Sequence, residues 1–140
     1  MTVLAPQDGH ALAREIFEAI DAGDLARTGA LLDEAFVLHY QGVPDAISKA
    51  SLIEMMRSYC DSFPDMRHDV QQILSSGNYV TVRLVTHATH RGTYEGIAAT
   101  GRQVAVAAIH ILRIEGGRIA EWWAAEDDLG LLRQIGAIVA

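Results

Sequence analysis

The hydrophobic pattern of this chain changes period near its middle, and this change constrains the fold more than any other feature. Beyond residue 70, four segments rich in β-branched residues are separated by glycine-containing turns: 70–74, 79–90, 104–114 and 119–125. Segments of this kind predict strands. The turn from Glu115 to Arg118 contains two consecutive glycines and predicts a hairpin between the last two strands. We therefore expect an antiparallel sheet in the second half.

The first half has helical spacing of its apolar residues instead. Helices are predicted over 11–22, from Asp24, from Ser51 to Phe63 and, after the strands, over 128–135. Ser51 and Glu54 have the spacing of a capping box at the start of the third helix, which Pro64 closes. Residues 36–40 alternate in the extended manner. Helices followed by strands predict one α+β domain over residues 1–140.

Composition and charge narrow the classes of function. The net charge is −7, and the single lysine and the ten arginines are scattered, so the chain has no basic stripe to neutralise phosphates. Nucleic acid and anionic membranes are therefore not expected as partners. No segment approaches the roughly 18 apolar residues of a membrane helix, no leader pattern is found, and Cys60 is the only cysteine. These features predict a cytoplasmic protein.

Strand alternation predicts which polar residues share a face with the core. In the strand from Val104, His110 belongs to a row of apolar residues. In the strand from Tyr79, the same alternation places His90 inside and His87 outside. His110 and His90 are therefore candidate pocket residues.

The last strand carries the candidate carboxylates at its end. Unless a bulge intervenes, Trp123 and Asp127 lie on the same face, and Trp122 lies on the opposite face with Arg113. Asp127 is then placed where the strand turns into the final helix. Its neighbour Asp128 is equally plausible by chemistry alone.

Motifs for metals, nucleotides and serine nucleophiles are missing from the sequence. His87 and His90 are three residues apart, which points them to opposite faces of a strand rather than toward one zinc ion. There is no zinc-binding His-Glu-x-x-His pattern, no phosphate-binding glycine loop and no Gly-x-Ser-x-Gly turn. We expect no metal and no cofactor.

Several short motifs in the last 80 residues occur together in a recognisable order. They are Ser-Phe-Pro-Asp-Met at 62–66, Thr-His-Arg-Gly at 89–92, Thr-Gly-Arg at 100–102, Gly-Arg-Ile-Ala-Glu-Trp-Trp at 117–123 and Leu-Leu-Arg-Gln-Ile-Gly at 131–136. In this order they resemble the SnoaL-like polyketide cyclases of the nuclear transport factor 2-like superfamily. The resemblance implies a curved antiparallel sheet wrapped around helices, cone-shaped with an internal pocket, and usually a homodimer. One difference is Ala98-Ala99, where relatives usually carry prolines.

The resemblance also implies a reaction, the cofactor-free aldol ring closure of a polyketide ester. Asp127 matches the family's general acid/base by its spacing from Trp123 and from the following Leu-Leu-Arg-Gln helix. An apolar pocket would raise the pKa of such a carboxyl group toward neutrality. His110 or His90 would donate a hydrogen bond to the developing oxyanion. The expected partner is a small hydrophobic molecule, polyketide- or steroid-like, bound by His39, His90, Trp123, Tyr59 and Met56.

Each assignment has a structural alternative. Asp127 is also placed to cap the last helix, His110 to be a hydrogen-bonded core residue, His90 to anchor a loop, and Trp123 to pack in the core. The same fold also hosts dehydratases, epoxide hydrolases and ketosteroid-isomerase-like enzymes, as well as noncatalytic ligand-binding or dimerisation domains.

Overall fold

The structure, a computed structural model, describes residues 6–139. Its helices are α1 (Pro6–Asp21), α2 (Leu25–Ala30), α3 (Lys49–Ser62) and α4 (Asp128–Gln134). Its strands are β1 (Leu32–Tyr40), β2 (Ile47–Ser48), β3 (Arg67–Ser76), β4 (Tyr79–Thr89), β5 (Gln103–Glu115) and β6 (Arg118–Glu126). This arrangement confirms the predicted α+β class.

The helix starts follow local capping chemistry. Asp24 caps α2 as predicted, and its carboxylate accepts the backbone N–H of Arg27 at 3.0 Å. The predicted start of α3 was three residues too late, because Ser48 rather than Ser51 is its N-cap and accepts the backbone N–H of Ser51. No helix within residues 6–139 is long and apolar enough to cross a membrane.

All six strands form one curved sheet in the order β2-β1-β6-β5-β4-β3. Every neighbouring pair is antiparallel except β1 and β6, which run parallel. The hydrophobic pattern did not predict β2 and did not assign β1 to the sheet. As a result, a strand from the helical half lies beside the last strand and brings Tyr40 next to Ala124.

The inner face of the sheet packs against α1 and α3, and the core lies between them. Residues of β5 alternate between buried and more exposed positions, and the predicted apolar row that contains His110 is the buried one. The buried hydrophobic side chains among residues 8–21 of α1 are Leu12, Ala13, Ile16, Phe17, Ala19 and Ile20. His110 and His90 are buried and His87 is partly exposed, which confirms the faces predicted for these three side chains.

A β-bulge in β6 reverses the faces predicted for its second half. Arg113 of β5 pairs with Glu121, but Ile114 pairs with Ile119, so Ala120 is an extra residue in β6. Both Ile119 and Ala120 are buried. Beyond the bulge Trp122 lies in the core, and Trp123 lies on the outer face. The predicted faces of the two tryptophans were therefore wrong, because one inserted residue moves every later side chain to the other face.

Candidate functional site

Two adjoining cavities lie between the inner face of the sheet and the helices. Their volumes are about 70 and 40 Å³. Both are lined by Met56, Tyr59, His68 and Glu126. Most of the remaining lining is apolar, so the few polar groups in these walls are the candidates for chemistry.

Glu126, at the end of β6, is the carboxyl group of the cavities. The hydroxyl oxygen of Tyr40 lies 3.1 Å from Oε2 of Glu126 and 2.7 Å from Oδ1 of Asp128. A phenol has one proton, so both contacts are hydrogen bonds only if one of the two carboxyl groups is protonated. Burial raises the pKa of Glu126; the hydrogen bond from Tyr40 opposes this shift, and the nearby carboxylate of Asp128 adds to it. Glu126 is thus the group suited to hold that proton.

His110, on β5, presents a fixed tautomer to the same cavity. The indole N–H of Trp122 donates to Nδ1 of His110 at 2.9 Å. Because an indole nitrogen is only a donor, Nδ1 must be unprotonated and the ring proton must lie on Nε2. Burial lowers the pKa of His110 to about 3, so the ring is neutral. Its Nε2 is buried without a hydrogen-bond partner and lies 3.6 Å from Oε1 of Glu126.

A second histidine, His68 on β3, is held by a carboxylate from α1. Asp21 accepts the backbone N–H of His68 at 2.9 Å through Oδ2, and its Oδ1 lies 2.5 Å from Nδ1 of the ring. The His68 side chain is only 8% exposed. Phe17 packs close to both histidines, with ring centroids 5.0 Å from His68 and 5.3 Å from His110.

Tyr59 separates the cavities from a larger surface groove. This groove, of about 760 Å³, lies between α3 and residues 93–96 and is lined by Tyr59 and Tyr94 among others. The centroids of the two phenol rings are 5.9 Å apart and the ring planes are tilted by 31°. Tyr59 also lines both cavities, so this tyrosine pair lies where a ligand would pass from groove to cavity.

Three of the residues predicted from sequence meet at the cavities, namely His110, Tyr59 and Met56. His39 and Trp123 do not. They stack on the outer face of the sheet with ring centroids 5.3 Å apart, and Nε2 of His39 lies 2.6 Å from Oε2 of Glu121. The bulge explains the position of Trp123, because it turns Trp123 and Glu121 outward together.

Asp127 and His90 occupy the positions that the structural alternatives described. Asp127 is exposed and is the N-cap of α4, where it accepts the backbone N–H of Gly130 at 2.9 Å. His90 is fully buried and ties together the two ends of the loop after β4, because Thr100 donates its backbone N–H to Nδ1 of His90 at 3.3 Å. Neither residue lines the two cavities. The catalytic role that the resemblance assigns to Asp127 stays a prediction.

Four residues of the site were missed from the sequence: Glu126, Tyr40, His68 and Asp21. Glu126 sits one residue before the aspartate that the resemblance selected, and the bulge is the reason that it points inward. Among residues 6–139, no three His, Cys, Asp or Glu side chains converge as a metal-ligand set. In chemical terms the site offers a carboxyl group that can hold a proton and an uncharged N–H donor, in apolar walls. These are the elements of general acid/base catalysis.

The fold is shared with solved proteins from Streptomyces. AclR from Streptomyces galilaeus, a candidate hydroxylase, superposes with a TM-score of 0.89 over 96% of this chain and 100% of its own, at 24% identity. IdmH from Streptomyces antibioticus, a candidate polyketide cyclase, gives a TM-score of 0.84 over 91% of this chain and 98% of its own, at 26% identity.

Curated relatives and a family model point the same way. Aklanonic acid methyl ester cyclase DnrD of Streptomyces peucetius is 36% identical over 61 residues, which are 44% of this chain and 42% of DnrD. The aligned part thus spans about two fifths of the curated relative. The family model of the SnoaL-like polyketide cyclases matches residues 10–135, from α1 to the end of α4. A match over this length, on the fold described above, makes the chain a member of the SnoaL-like polyketide cyclase family.

Proposed function

We propose that this protein is a cofactor-independent cyclase that closes a ring by acid/base aldol chemistry, with Glu126 as its acid. The observation that carries the proposal is the environment of the Glu126 carboxyl group. It lies in an apolar cavity, contacts the Tyr40 hydroxyl and has its pKa raised by burial. A carboxyl group whose pKa is raised by burial keeps its proton to a higher pH than an exposed one and is better suited to protonate an alkoxide.

The other polar groups fit the same reaction. In an aldol closure, a carbon next to carbonyl groups loses a proton, and the negative charge moves to the enolate oxygen. The Nε2–H of His110 has no partner in the resting site and is free to donate to that oxygen. The new carbon–carbon bond converts a second carbonyl into an alkoxide, and Glu126 gives its proton to this oxygen.

The substrate is proposed to be a hydrophobic polyketide ester. DnrD is an aklanonic acid methyl ester cyclase by name, and the apolar cavity walls here suit a flat aromatic molecule. Both cavities are far smaller than the roughly 300–1,000 Å³ of a typical ligand site. Tyr59 and Tyr94 must therefore move apart for such a ligand to enter from the groove.

The test uses aklanonic acid methyl ester with wild-type protein and three variants. Glu126→Gln is expected to lower the rate of ring closure by about 10²–10⁴-fold, because it removes the transferred proton. His110→Gln should also lower it, through weaker support of the enolate oxygen. Asp127→Asn is the matched control, a carboxylate one residue away that caps a helix. It should reduce stability slightly while leaving most of the activity.

The outcomes separate the alternatives. Loss of closure in Asp127→Asn with normal closure in Glu126→Gln would contradict the role of Glu126 and favour the residue that the family resemblance selects. If neither this ester nor a panel of aromatic polyketides and steroids is converted, but some raise the melting temperature, the chain is a noncatalytic ligand-binding domain. Conversion of a steroid enone instead would indicate an isomerase on the same site.

We also propose that the protein is a homodimer formed through the outer face of the sheet. This face exposes large apolar side chains, among them Tyr79 (47%), Ile109 (51%) and Ile111 (37%). Beside them, Glu121 is paired with His39 and Arg113, which leaves this polar cluster largely neutralised. Light scattering should give twice the mass of 15.2 kDa at micromolar concentration. Ile109→Glu should give the monomer, and a monomeric wild-type protein would contradict the dimer.

A further inference from the structure

The Asp21–His68 pair has no role in the chemistry described so far, although it lies in the same cavity walls. Asp21 is the last residue of α1 and uses both carboxylate oxygens on one residue of β3. One oxygen binds the backbone N–H of His68 and the other lies beside ring Nδ1. Two bonds from one carboxylate fix the position of the ring as well as its rotation.

This geometry defines the free nitrogen of the ring. A carboxylate is an acceptor, so Nδ1 of His68 carries the proton that Asp21 binds. In the neutral ring Nε2 is then a lone-pair acceptor. Among the described residues no side chain or backbone group is hydrogen-bonded to this nitrogen. His110 carries the opposite tautomer, with its proton on Nε2, so the cavity holds one imidazole acceptor and one imidazole donor.

The curvature of the sheet brings His68 and Glu126 to the walls of the same cavities. They lie on β3 and β6, three strand spacings apart, which would be about 14 Å in a flat sheet. The residue on β5 that pairs with Glu126 is Ala108, and the one on β4 that pairs with His68 is Thr86. Both of these partners have short side chains, and their own partners across β4 and β5 are Leu84 and Val106. Both His68 and Glu126 line both cavities, and a positive charge on His68 would lower the pKa that burial raises in Glu126.

We propose that His68, oriented by Asp21, is the base that removes the carbon proton of the substrate, opposite Glu126 as the acid. This inference rests on the proposed cyclase function and adds its second catalytic residue, with Asp21 as a positioning residue. A Glu126 carboxyl group that starts the cycle protonated cannot also accept the proton from carbon. A separate base on the other side of the cavity supplies this step.

Protons and electron pairs balance over one catalytic cycle. Nε2 of His68 takes the proton, and the C–H electron pair becomes the enolate, whose oxygen accepts the His110 N–H. The enolate carbon then forms a bond to the second carbonyl carbon, and the electron pair of that C=O bond moves to its oxygen. Glu126 protonates this oxygen. Proton return from the His68 imidazolium to the Glu126 carboxylate, directly or through water, restores the starting state with no other reactant.

A probe that cannot cyclise isolates the first step. Methyl benzoylacetate has the acidic carbon between two carbonyl groups, but it has no further carbonyl group that the enolate carbon could attack to close a ring. Its deuterium uptake in D₂O, above the rate without protein, is measured by NMR. We expect His68→Gln to lose the enzymatic part by about 10²–10⁴-fold, and Asp21→Asn by about 10²-fold or more. Glu126→Gln should keep deuterium uptake while losing closure of aklanonic acid methyl ester.

The control is a second histidine–aspartate pair on the same sheet. His87 and Asp69 lie on the outer face, with Nε2 of His87 4.0 Å from Oδ2 of Asp69 and both side chains more than 40% exposed. His87→Gln should leave uptake and closure unchanged. Deuterium uptake in His68→Gln equal to that of the wild-type protein would overturn the role of His68, whatever the effect on stability.

The ring tautomer gives a readout that does not depend on turnover. The ¹⁵N shifts of labelled protein are expected to show neutral His68 with its proton on Nδ1, and Asp21→Asn should move that proton to Nε2. A wild-type ring with its proton on Nε2 would overturn the inference directly. Wild-type protein that exchanges the probe but closes no polyketide would contradict the cyclase function and leave the base in place. Wild-type protein that does neither would contradict both.

Discussion

The neutrality of His110 predicts how the protein responds to acid. In the folded protein the ring is 3% exposed, accepts the indole N–H of Trp122 and has its pKa lowered by burial to about 3. In the unfolded chain the same imidazole has an ordinary pKa of about 6.5. Below about pH 6.5 the unfolded chain therefore binds a proton that the folded protein does not bind. The stability contributed by neutral His110 is complete above pH 6.5 and is lost as the pH falls toward 3.

The size of the loss follows from the two pKa values. Each pH unit within this window changes the free energy of unfolding by about 1.4 kcal/mol, so about 2 kcal/mol is lost between pH 7.5 and pH 5. For a 140-residue protein this corresponds to a fall in melting temperature of about 7 °C. Other groups titrate over the same range, which is why the prediction concerns a difference between two proteins.

The assay is urea unfolding of wild-type protein and His110→Gln at several pH values. The glutamine amide offers Trp122 an acceptor and does not titrate, so the variant should lose about 2 kcal/mol less than wild-type protein between pH 7.5 and 5. The same comparison in a Glu126→Gln background tests for an acid-induced ion pair between the two side chains. Equal losses in wild-type protein and His110→Gln would refute the reasoning, because they would mean that the folded protein protonates His110 readily.

Three further variants test the site and the loop beside it. In urea unfolding, Glu126→Gln should become more stable relative to wild-type protein as the pH rises above about 4.5. The gain should be about 1.4 kcal/mol for each unit by which folding raises the Glu126 pKa. A difference in stability that does not change with pH would contradict the raised pKa. Trp122→Phe should cost about 1–3 kcal/mol, because it leaves buried Nδ1 of His110 without its donor; an unchanged ¹⁵N tautomer pattern of His110 would contradict the role given to the indole. Gly92→Ala should lower the melting temperature, since its Cβ would lie 2.2 Å from the carbonyl oxygen of Asp61, at about 1–3 kcal/mol; unchanged melting would show that the loop yields.

Local signals predicted the elements well. The β5–β6 hairpin is an example, because its turn needs two residues with positive φ, and Gly116 and Gly117 have φ of 58° and 76°. The row that His110 shares with Val104, Val106, Leu112 and Ile114 likewise placed His110 on the inner face correctly, because alternate side chains of a strand lie on the same face. Such features depend on a few neighbouring residues and can be predicted from them.

The faces of β6 could not be predicted, because this segment looks nearly the same after a shift of one residue. Trp122 and Trp123, the alanines that follow them, and Asp127 and Asp128 are all identical pairs. Ile119 and Ala120 are both apolar, so the bulge is not visible as a break in the pattern. Its position is decided by the pairing with β5, which the alternation of β6 alone does not contain.

The rest of the site comes from elements that are distant in sequence. Tyr40 reaches Glu126 across 86 residues, because β1 pairs parallel with β6. Asp21 reaches His68 across 47 residues, from a helix end to a strand. No periodicity within either segment indicates these contacts. The sequence therefore did not predict that the polar residues at these positions belong to the site; the order of the strands in the sheet is needed for that.

Burial itself selects the protonation states that ring closure needs. A charged Glu126 or a charged His110 would be costly in the apolar cavity, so burial raises the pKa of the first and lowers that of the second. A Glu126 carboxyl group that keeps its proton can give it to an alkoxide, and neutral His110, with Nδ1 held by Trp122, has only its Nε2–H to offer. The states that burial favours are thus the states from which the proposed reaction would start. One extra residue in β6 creates this coincidence, because it turns Glu126 rather than Asp127 toward the two histidines.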